Sequence, residues 1–313
     1  METAIELDGQ YRALREGAGL VHRSGRAVLL VRGSEAVDYL QGQLTNDLEA
    51  FGPGEGCYAA LLDRKGHMQA DMRVLRTEDG IWIDMEPDAL GVVLRHLSMY
   101  KIGREVEIAD VGDQHAILSL IGPAALEVAG VGPLSPEHAH RSVVPGGVAA
   151  RAVATDTGVD LICKVGDAEA LRTTLVAAGA VEISEDAEEI ARVESGRPRF
   201  GLEMTTATIP QEAGIDDRAV SFTKGCYIGQ ETVARLHYRG RPNRHLRGLR
   251  LEAPVAAGDP VALGERELGR IGTAVISPAH GPIALAVLRR EAQPGARVTV
   301  GDGVGAEVTE LPF

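Results

Sequence analysis

Short apolar runs alternate with amphipathic segments through the first two thirds of the chain. The run at 26–33 is typical of a buried strand that ends in a glycine turn, and 69–86 predicts a β-hairpin around Glu-Asp-Gly. Apolar residues at helical spacing predict helices at 34–48, with Ser34 as the N-cap, and at 87–103.

The same mixture of elements continues beyond residue 110. A strand followed by a helix is predicted at 115–130, a second hairpin at 149–165, and helices at 167–180 and 184–196. Because hairpins rather than regular βαβ units connect the strands, the pattern predicts an α+β fold.

The C-terminal part of the chain has a different pattern. From residue 244 onward, short apolar strands alternate with Gly and Pro, which predicts a small β-barrel or sandwich. A chain of 313 residues is long enough for two domains. We therefore expect one domain over 1–240 and a second over 241–313, with the boundary in an arginine-rich segment near 238–245.

Composition narrows the classes of protein. The chain is 44% hydrophobic and 25% charged, as in ordinary globular proteins, and its net charge of −13 opposes non-specific binding of nucleic acid. We expect no signal peptide and no membrane span, and hence a cytoplasmic protein. Cys57, Cys163 and Cys226 are an odd number of widely spaced thiols, which indicates free thiols in a reducing compartment and no metal site.

The octapeptide KGCYIGQE at 224–231 suggests a reactive thiol. Gly225 and Gly229 permit close backbone approach, Lys224 adds positive charge, and a helix is expected to begin near Gly229. A thiol beside free backbone N–H groups and a helix dipole is favoured as thiolate. The alternative is that Cys226 is a small buried hydrophobe in a turn.

Three carboxylates and one basic segment leave alternatives open. Asp71 and Asp160 lie within strand patterns, where each side chain faces either a ligand or solvent. Glu203 follows a glycine and by default is exposed in a loop. The segment Arg235–Arg250 holds six arginines, which either bind an anion such as RNA, phosphate or a polyglutamyl tail, or pair with surface acids.

The octapeptide resembles the signature of the YgfZ-type folate-binding proteins. These are relatives of the glycine-cleavage T-protein, an aminomethyltransferase, and include mitochondrial iron–sulfur assembly factors. Further segments resemble the wider family in the right order, and the match covers most of the chain: GSEAVDYLQGQLTNDL, CYAALLDRKGHMQADMRV, HAILSLIGPAAL, RVESGRPRFGLEMTTATIPQEAG and GRIGTAVISPAHGPIALAVL.

The resemblance implies two interleaved α+β lobes and a C-terminal β-barrel, arranged as a ring around a central cavity that holds tetrahydrofolate. The transferase's catalytic aspartate falls on Asp71, the carboxylate that holds the pterin falls on Asp160, and a folate-contacting Asn falls on Asp84. A folate-contacting Arg falls on Glu188, which reverses the charge.

Further folate contacts are expected from the octapeptide and from Glu203. Cys226 and Asp71 are the expected catalytic residues. The expected cofactor-binding residues outside the strands are Glu203, Lys224, Gly225, Tyr227, Gly229, Gln230 and Glu231.

The resemblance implies a tetrahydrofolate-binding accessory protein for iron–sulfur cluster assembly or repair, which would indirectly support tRNA modification and contact iron–sulfur proteins. One alternative is a folate-dependent aminomethyltransferase or demethylase, against which Cys226 and Glu188 count. A second alternative is a non-catalytic scaffold that docks a partner through Arg235–Arg250.

Overall fold

The computed structural model describes residues 4–23 and 25–313. The chain forms two compact units. The first comprises Met1–Leu61, Gln69–Ala187 and Thr223–Ile228; the second comprises Leu62–Met68, Glu188–Phe222 and Gly229–Phe313. The predicted division at residue 240 instead separates the barrel from the rest of the chain, and it stays a prediction.

The first unit contains two sheets. Its strands are β1 (Gly19–His22), β2 (Ala27–Arg32), β3 (Gly56–Leu62), β4 (Met68–Thr77), β5 (Gly80–Met85), β6 (Glu107–Asp110), β7 (His115–Ile121), β8 (His140–Val143), β9 (Ala150–Ala154), β10 (Gly158–Lys164) and β11 (Val181–Glu182). One sheet has the order β3-β4-β5-β2-β6, and the other has the order β11-β1-β7-β10-β9-β8.

Helices cover the outer faces of both sheets. They are α1 (Ala4–Glu16), α2 (Ala36–Gln41), α3 (Leu90–Tyr100), α4 (Ala125–Val128) and α5 (Ala168–Ala177). Residues of α2 and α3 share an apolar core with the five-stranded sheet, and residues of α4 and α5 share one with the six-stranded sheet. A third apolar cluster, which includes Leu75, Trp82, Ile117 and Ile162, joins the inner faces of the two sheets.

The segment predicted as a helix over 34–48 is helical only over Ala36–Gln41. Beyond it, Leu44 bridges Leu61, and the Thr45 N–H donates to the Ala60 carbonyl, so these backbone groups pair with β3 instead of continuing the helix. Ser34 is not the N-cap, since Glu35 occupies that position, and the Ser34 hydroxyl donates to Glu105 Oε2 over 2.5 Å.

The second unit contains a closed barrel. After β11 the chain forms α6 (Glu185–Glu194), α7 (Pro210–Ala213), α8 (Asp216–Ala219) and α9 (Gln230–Arg239), followed by β12 (Arg244–Leu251), β13 (Pro260–Leu263), β14 (Arg266–Ser277), β15 (Gly281–Arg289), β16 (Arg297–Val300) and β17 (Val304–Thr309). The barrel closes in the order β12-β15-β14-β13-β16-β17 around apolar side chains such as Leu249, Val261 and Ala284.

The α+β fold with a C-terminal β-barrel is therefore confirmed. Both predicted hairpins are present, as β4–β5 and β9–β10. The expected start of a helix near Gly229 is also correct, since α9 begins at Gln230. Within the described ranges, no helix is both long enough and apolar enough to cross a bilayer.

Candidate functional site

The alternation of side chains along β4 puts chemistry on its inner face. Met72 and Val74 point outward into the core shared with α2 and α3, whereas Leu75 belongs to the cluster between the sheets. Successive strand residues point to opposite faces, so Asp71 and Arg73 share the inner face with Leu75. Asp71 and Arg73 lie at the polar end of this inner face, and Leu75 lies at its apolar end.

Arg73 links the two sheets through two buried aspartates. Its Nε donates to Oδ2 of Asp84, the residue directly opposite on β5, over 2.7 Å. Its Nη1 donates to Oδ2 of Asp160 on β10 over 2.6 Å. We call Asp71, Arg73, Asp84 and Asp160 the inter-sheet cluster.

Asp84 is held by a second arginine as well. Arg26 Nε donates to its Oδ1 over 2.7 Å, and the Trp82 indole donates to its Oδ2 over 3.3 Å. Burial raises the pKa of Asp84, but Arg73 and Arg26 outweigh that effect and lower it to about 2. Asp84 is therefore an anion with three protein donors.

Asp160 has fewer protein donors. Besides Arg73, Ser119 donates to its Oδ1 over 2.5 Å, and Arg23 in turn donates to the Ser119 hydroxyl over 2.8 Å. Burial opposes ionisation of Asp160, but Arg73 and Arg23 nevertheless lower its pKa. Two of the roughly four acceptor positions of this carboxylate are in use.

Asp71 differs from the other two aspartates. The Tyr58 hydroxyl donates to its Oδ2 over 2.7 Å, while its Oδ1 is buried and has no hydrogen-bond partner among the described residues. Burial raises the pKa of Asp71, against the opposing effect of the Tyr58 hydroxyl and Arg26. Oδ1 of this carboxylate thus does not face solvent, and a contact with a ligand stays a prediction.

Lys224 of the octapeptide is engaged by the protein itself. Its buried ammonium donates to three carbonyl oxygens: Gln41 at 2.6 Å, Leu44 at 2.9 Å and Asn46 at 2.7 Å. Burial lowers the pKa of Lys224 to about 8. The ammonium therefore holds the end of α2 and the following loop, and its role in folate binding stays a prediction.

Cys226 is exposed, whereas Cys57 and Cys163 are buried. The alternative of a small buried hydrophobe is therefore wrong for Cys226 and describes the other two thiols. Burial raises the pKa of Cys57 to about 12 and also raises that of Cys163. Cys57 and Cys163 are therefore buried thiols that are disfavoured as thiolates, and a reactive role of Cys226 stays a prediction.

The remaining octapeptide residues differ in their environments. Gly225 is exposed, and the Tyr227 ring is buried with its centroid 5.3 Å from Lys224 Nζ. Gly229 has φ +85° and precedes α9, whose first turn holds half-buried Gln230 and exposed Glu231. The folate contacts expected from these residues stay predictions.

Glu203 is not an exposed loop carboxylate. It is 4% exposed, because its Oε2 accepts from Arg192 Nη1 at 3.1 Å and from the Arg199 backbone N–H at 3.0 Å. Arg199 also lies 3.6 Å from Glu188, so a guanidinium does lie beside the position where the resemblance expects one. The predicted contact of Glu203 with folate is untested.

The arginine-rich segment is not a loop, since α9 and β12 account for most of it. Three exposed arginines, Arg235, Arg239 and Arg241, have no ion pair with any residue in 4–23 or 25–313. Pairing with surface acids therefore does not explain them. Contact with RNA or another anion stays a prediction.

Arg73 and Tyr58 are the site residues that the sequence reasoning missed. The signal for Arg73 was its spacing: it follows Asp71 by two residues in a strand pattern, and so shares its face. The position of Asp160 opposite Arg73, on a strand of another sheet, had no signal in the sequence.

The comparisons with known proteins agree with this architecture. The family model described as the GCVT N-terminal domain matches residues 5–224. Aminomethyltransferases from Rubrobacter xylanophilus and Thermus thermophilus are each 30% identical, covering 98% and 97% of this chain and 86% and 89% of their own lengths. A putative chloroplastic transferase from Arabidopsis thaliana is 26% identical over 96% of this chain and 72% of its own.

A solved structure of a known enzyme matches the whole chain. The glycine cleavage system aminomethyltransferase T from Bartonella henselae superposes with a TM-score of 0.87, covering 100% of this chain and 91% of that one, at 21% identity. This likeness establishes the fold. Since the family model spans more than half of the residues, the chain belongs to the GcvT-like family that is defined by the GCVT N-terminal domain.

Proposed function

We propose that the protein binds tetrahydrofolate at the inter-sheet cluster and transfers a one-carbon unit in an aminomethyltransferase-type reaction. The observation that carries this proposal is Asp71, with Oδ2 fixed by Tyr58 and Oδ1 buried without a partner among the described residues. A carboxylate held in this way can orient an amine or accept its proton. The names of the curated relatives support the same reaction class.

The donors and acceptors of the cluster fit a reduced pterin in part. Asp71 Oδ1 is a free acceptor, and Asp160 retains about half of its acceptor positions, which suits a ring that carries N–H donors. Asp84, with three protein donors, has the least capacity left. Asp71 and Asp160 are therefore the carboxylates that would hold tetrahydrofolate, and Asp84 would hold Arg73.

Tetrahydrofolate would supply the nitrogen atoms that accept the one-carbon unit. The protein's own contribution is orientation and proton transfer. Tyr58 fixes the rotation of the Asp71 carboxylate, so that Oδ1 keeps one direction. Burial shifts the pKa of Asp71 upward, towards neutral pH. A carboxylate with such a pKa can accept a proton from a reacting amine and return it.

The direct test is release of ammonia and formation of methylene-tetrahydrofolate from an aminomethyl donor. Asp71→Asn should lower turnover by at least about 100-fold, the usual contribution of a general acid–base group. Asp88→Asn, which changes an exposed aspartate in the same unit, is the matched control. Turnover by Asp71→Asn at the wild-type rate would refute the role of this carboxylate.

A second candidate function rests on Cys226. This thiol is exposed in a segment that Lys224 anchors through three hydrogen bonds, so it is both accessible and held in place. Such a thiol suits an accessory protein for iron–sulfur cluster assembly or repair, which would indirectly support tRNA modification by iron–sulfur enzymes.

Cys226→Ala separates the two functions. If the thiol serves cluster assembly, the variant folds and releases ammonia normally but fails to restore iron–sulfur enzyme activity in a deletion strain. Full restoration would remove the second candidate. Loss of ammonia release as well would instead assign Cys226 to the one-carbon reaction.

A further inference from the structure

Arg73 carries a hydrogen-bond donor that the protein leaves unused. The residue is 8% exposed, and two of its three nitrogens are engaged, Nε by Asp84 and Nη1 by Asp160. The third, Nη2, is buried and has no hydrogen-bond partner within the described part of the chain. A buried guanidinium N–H without an acceptor costs free energy, so its retention calls for an explanation.

The position of Nη2 is fixed from two sides. The guanidinium is planar, and its Nε and Nη1 bonds run to carboxylates on different sheets, which prevents rotation of the group. Nη2 is therefore a preorganised donor rather than a mobile charge. A ligand oxygen placed against it would find the donor already oriented and desolvated.

The ion pair of Arg73 with Asp160 offers an acceptor beside this donor. Asp160 accepts from Ser119 and from Arg73, and it retains lone pairs for a further donor. A donor next to an acceptor is the complement of a lactam edge, in which a carbonyl oxygen adjoins a ring N–H. A plain cation or an aliphatic amine would satisfy the carboxylate but leave Nη2 without a partner.

We propose that Arg73 is a specificity-determining residue that reads the carbonyl oxygen of a pterin lactam. Nη2 donates to the 4-oxo oxygen of the ring, and Asp160 accepts from the neighbouring N3–H. This assignment rests on the proposed binding of tetrahydrofolate and adds to it the atom that distinguishes 4-oxo folates from 4-amino analogues. A 4-amino group would instead place its own N–H donors against the N–H donor of Arg73 Nη2.

The test compares two ligands on the intact chain by isothermal titration calorimetry: tetrahydrofolate and 4-amino-4-deoxytetrahydrofolate. We expect the 4-amino compound to bind at least about 100-fold more weakly, because a site built to donate a hydrogen bond rejects an analogue that cannot accept it. Equal affinity would overturn the role of Arg73 and leave the proposed function intact. Binding of neither ligand would overturn both.

Arg73→Lys provides a second measurement that keeps a positive charge between Asp84 and Asp160 but removes the planar fork. We expect a cooperative thermal transition and a preference between the two ligands that falls by at least about 10-fold, while Asp160, which meets N3–H in one ligand and a lone pair in the other, keeps part of it. Arg76→Lys is the matched control, since Arg76 lies on the same strand and donates to the Phe51 carbonyl. An undiminished preference in Arg73→Lys would overturn the proposal.

Discussion

Tyr58 donates its hydroxyl to Oδ2 of Asp71 over 2.7 Å and leaves Oδ1 of the same carboxylate buried without a partner among the described residues. The described part of the protein therefore provides a hydrogen-bond donor to one of the two carboxylate oxygens of Asp71 and none to the other. Burial raises the pKa of Asp71 despite the tyrosine, which means that the folded state disfavours the charged form. In its charged form, Asp71 therefore costs the folded protein stability, as is common for residues that serve a function.

Asp71→Asn should stabilise the protein at pH 7 while it lowers turnover by at least about 100-fold. A carboxyl with a raised folded-state pKa contributes stability below its unfolded pKa and loses it as pH rises through the folded pKa. At pH 7 the ionised Asp71 thus opposes folding, and its removal should raise the free energy of unfolding. Urea unfolding at pH 7 and pH 4 measures this, with the gain expected to shrink at pH 4.

Asp84 and Asp160 should give the opposite pH dependence. Both have pKa values below those of ordinary aspartates, that of Asp84 at about 2, because arginines neutralise them. Their stabilising contribution is present above about pH 4 and is lost as the pH falls through the folded values. We expect the free energy of unfolding to fall steeply between about pH 4 and pH 2.

Asp84→Asn tests the assignment of that slope. The substitution leaves Arg73 and Arg26 buried beside a neutral group and should cost about 3–5 kcal/mol at pH 7. Its unfolding free energy should also depend less on pH below pH 4. Exposed Asp88→Asn should change neither quantity by more than about 0.5 kcal/mol. A slope equal to that of the wild type would contradict the assignment.

The spacing of apolar residues and the turn residues were sufficient to predict most strands and helices from the sequence. The Glu-Asp-Gly turn indicated the hairpin of β4 and β5, and the Gly and Pro spacing after residue 244 indicated the barrel. The helix over 34–48 was predicted too long, because nothing local indicates that Leu44 and Thr45 pair with β3. The end of such a helix is decided by backbone pairing with residues that are distant in the chain.

The candidate site was predictable only where resemblance supplied a residue. Asp71, Asp84 and Asp160 were named in this way, but their different states depend on partners far away in the chain. Arg73 and Asp160 are separated by 87 residues, and only the packing of two sheets brings them together. No pattern within a single strand contains that information.

Lys224 should contribute to stability more than its place in a candidate functional octapeptide suggests. Lys224→Met would remove three hydrogen bonds from a buried ammonium and leave the carbonyls of Gln41, Leu44 and Asn46 without this donor. The cost of three carbonyls without a donor should exceed the gain from removing a buried ammonium, whose pKa burial lowers to about 8, so we expect a net loss of about 1–3 kcal/mol in urea unfolding at pH 7. Exposed Lys164→Met, in the same unit, should be nearly neutral. A neutral Lys224→Met would contradict this role.

The two octapeptide glycines differ in what a side chain would meet. Gly229 has φ +85°, and a Cβ there would clash with the Asp63 carbonyl oxygen, whereas a Cβ on Gly225 would have nothing within 4 Å. Only Gly229 occupies a backbone conformation that L-residues rarely adopt. The sequence treats the two positions alike, but the structure makes only one of them obligatory.

Gly229→Ala should therefore lower the free energy of unfolding by about 2–4 kcal/mol, from backbone strain and the clash with Asp63 together. Gly225→Ala is the matched control and should be neutral or stabilise by up to about 1 kcal/mol, since it restricts only the unfolded chain. Urea unfolding of both variants at pH 7 measures the difference. Equal stability of the two would mean that the turn before α9 tolerates a side chain, contrary to its geometry.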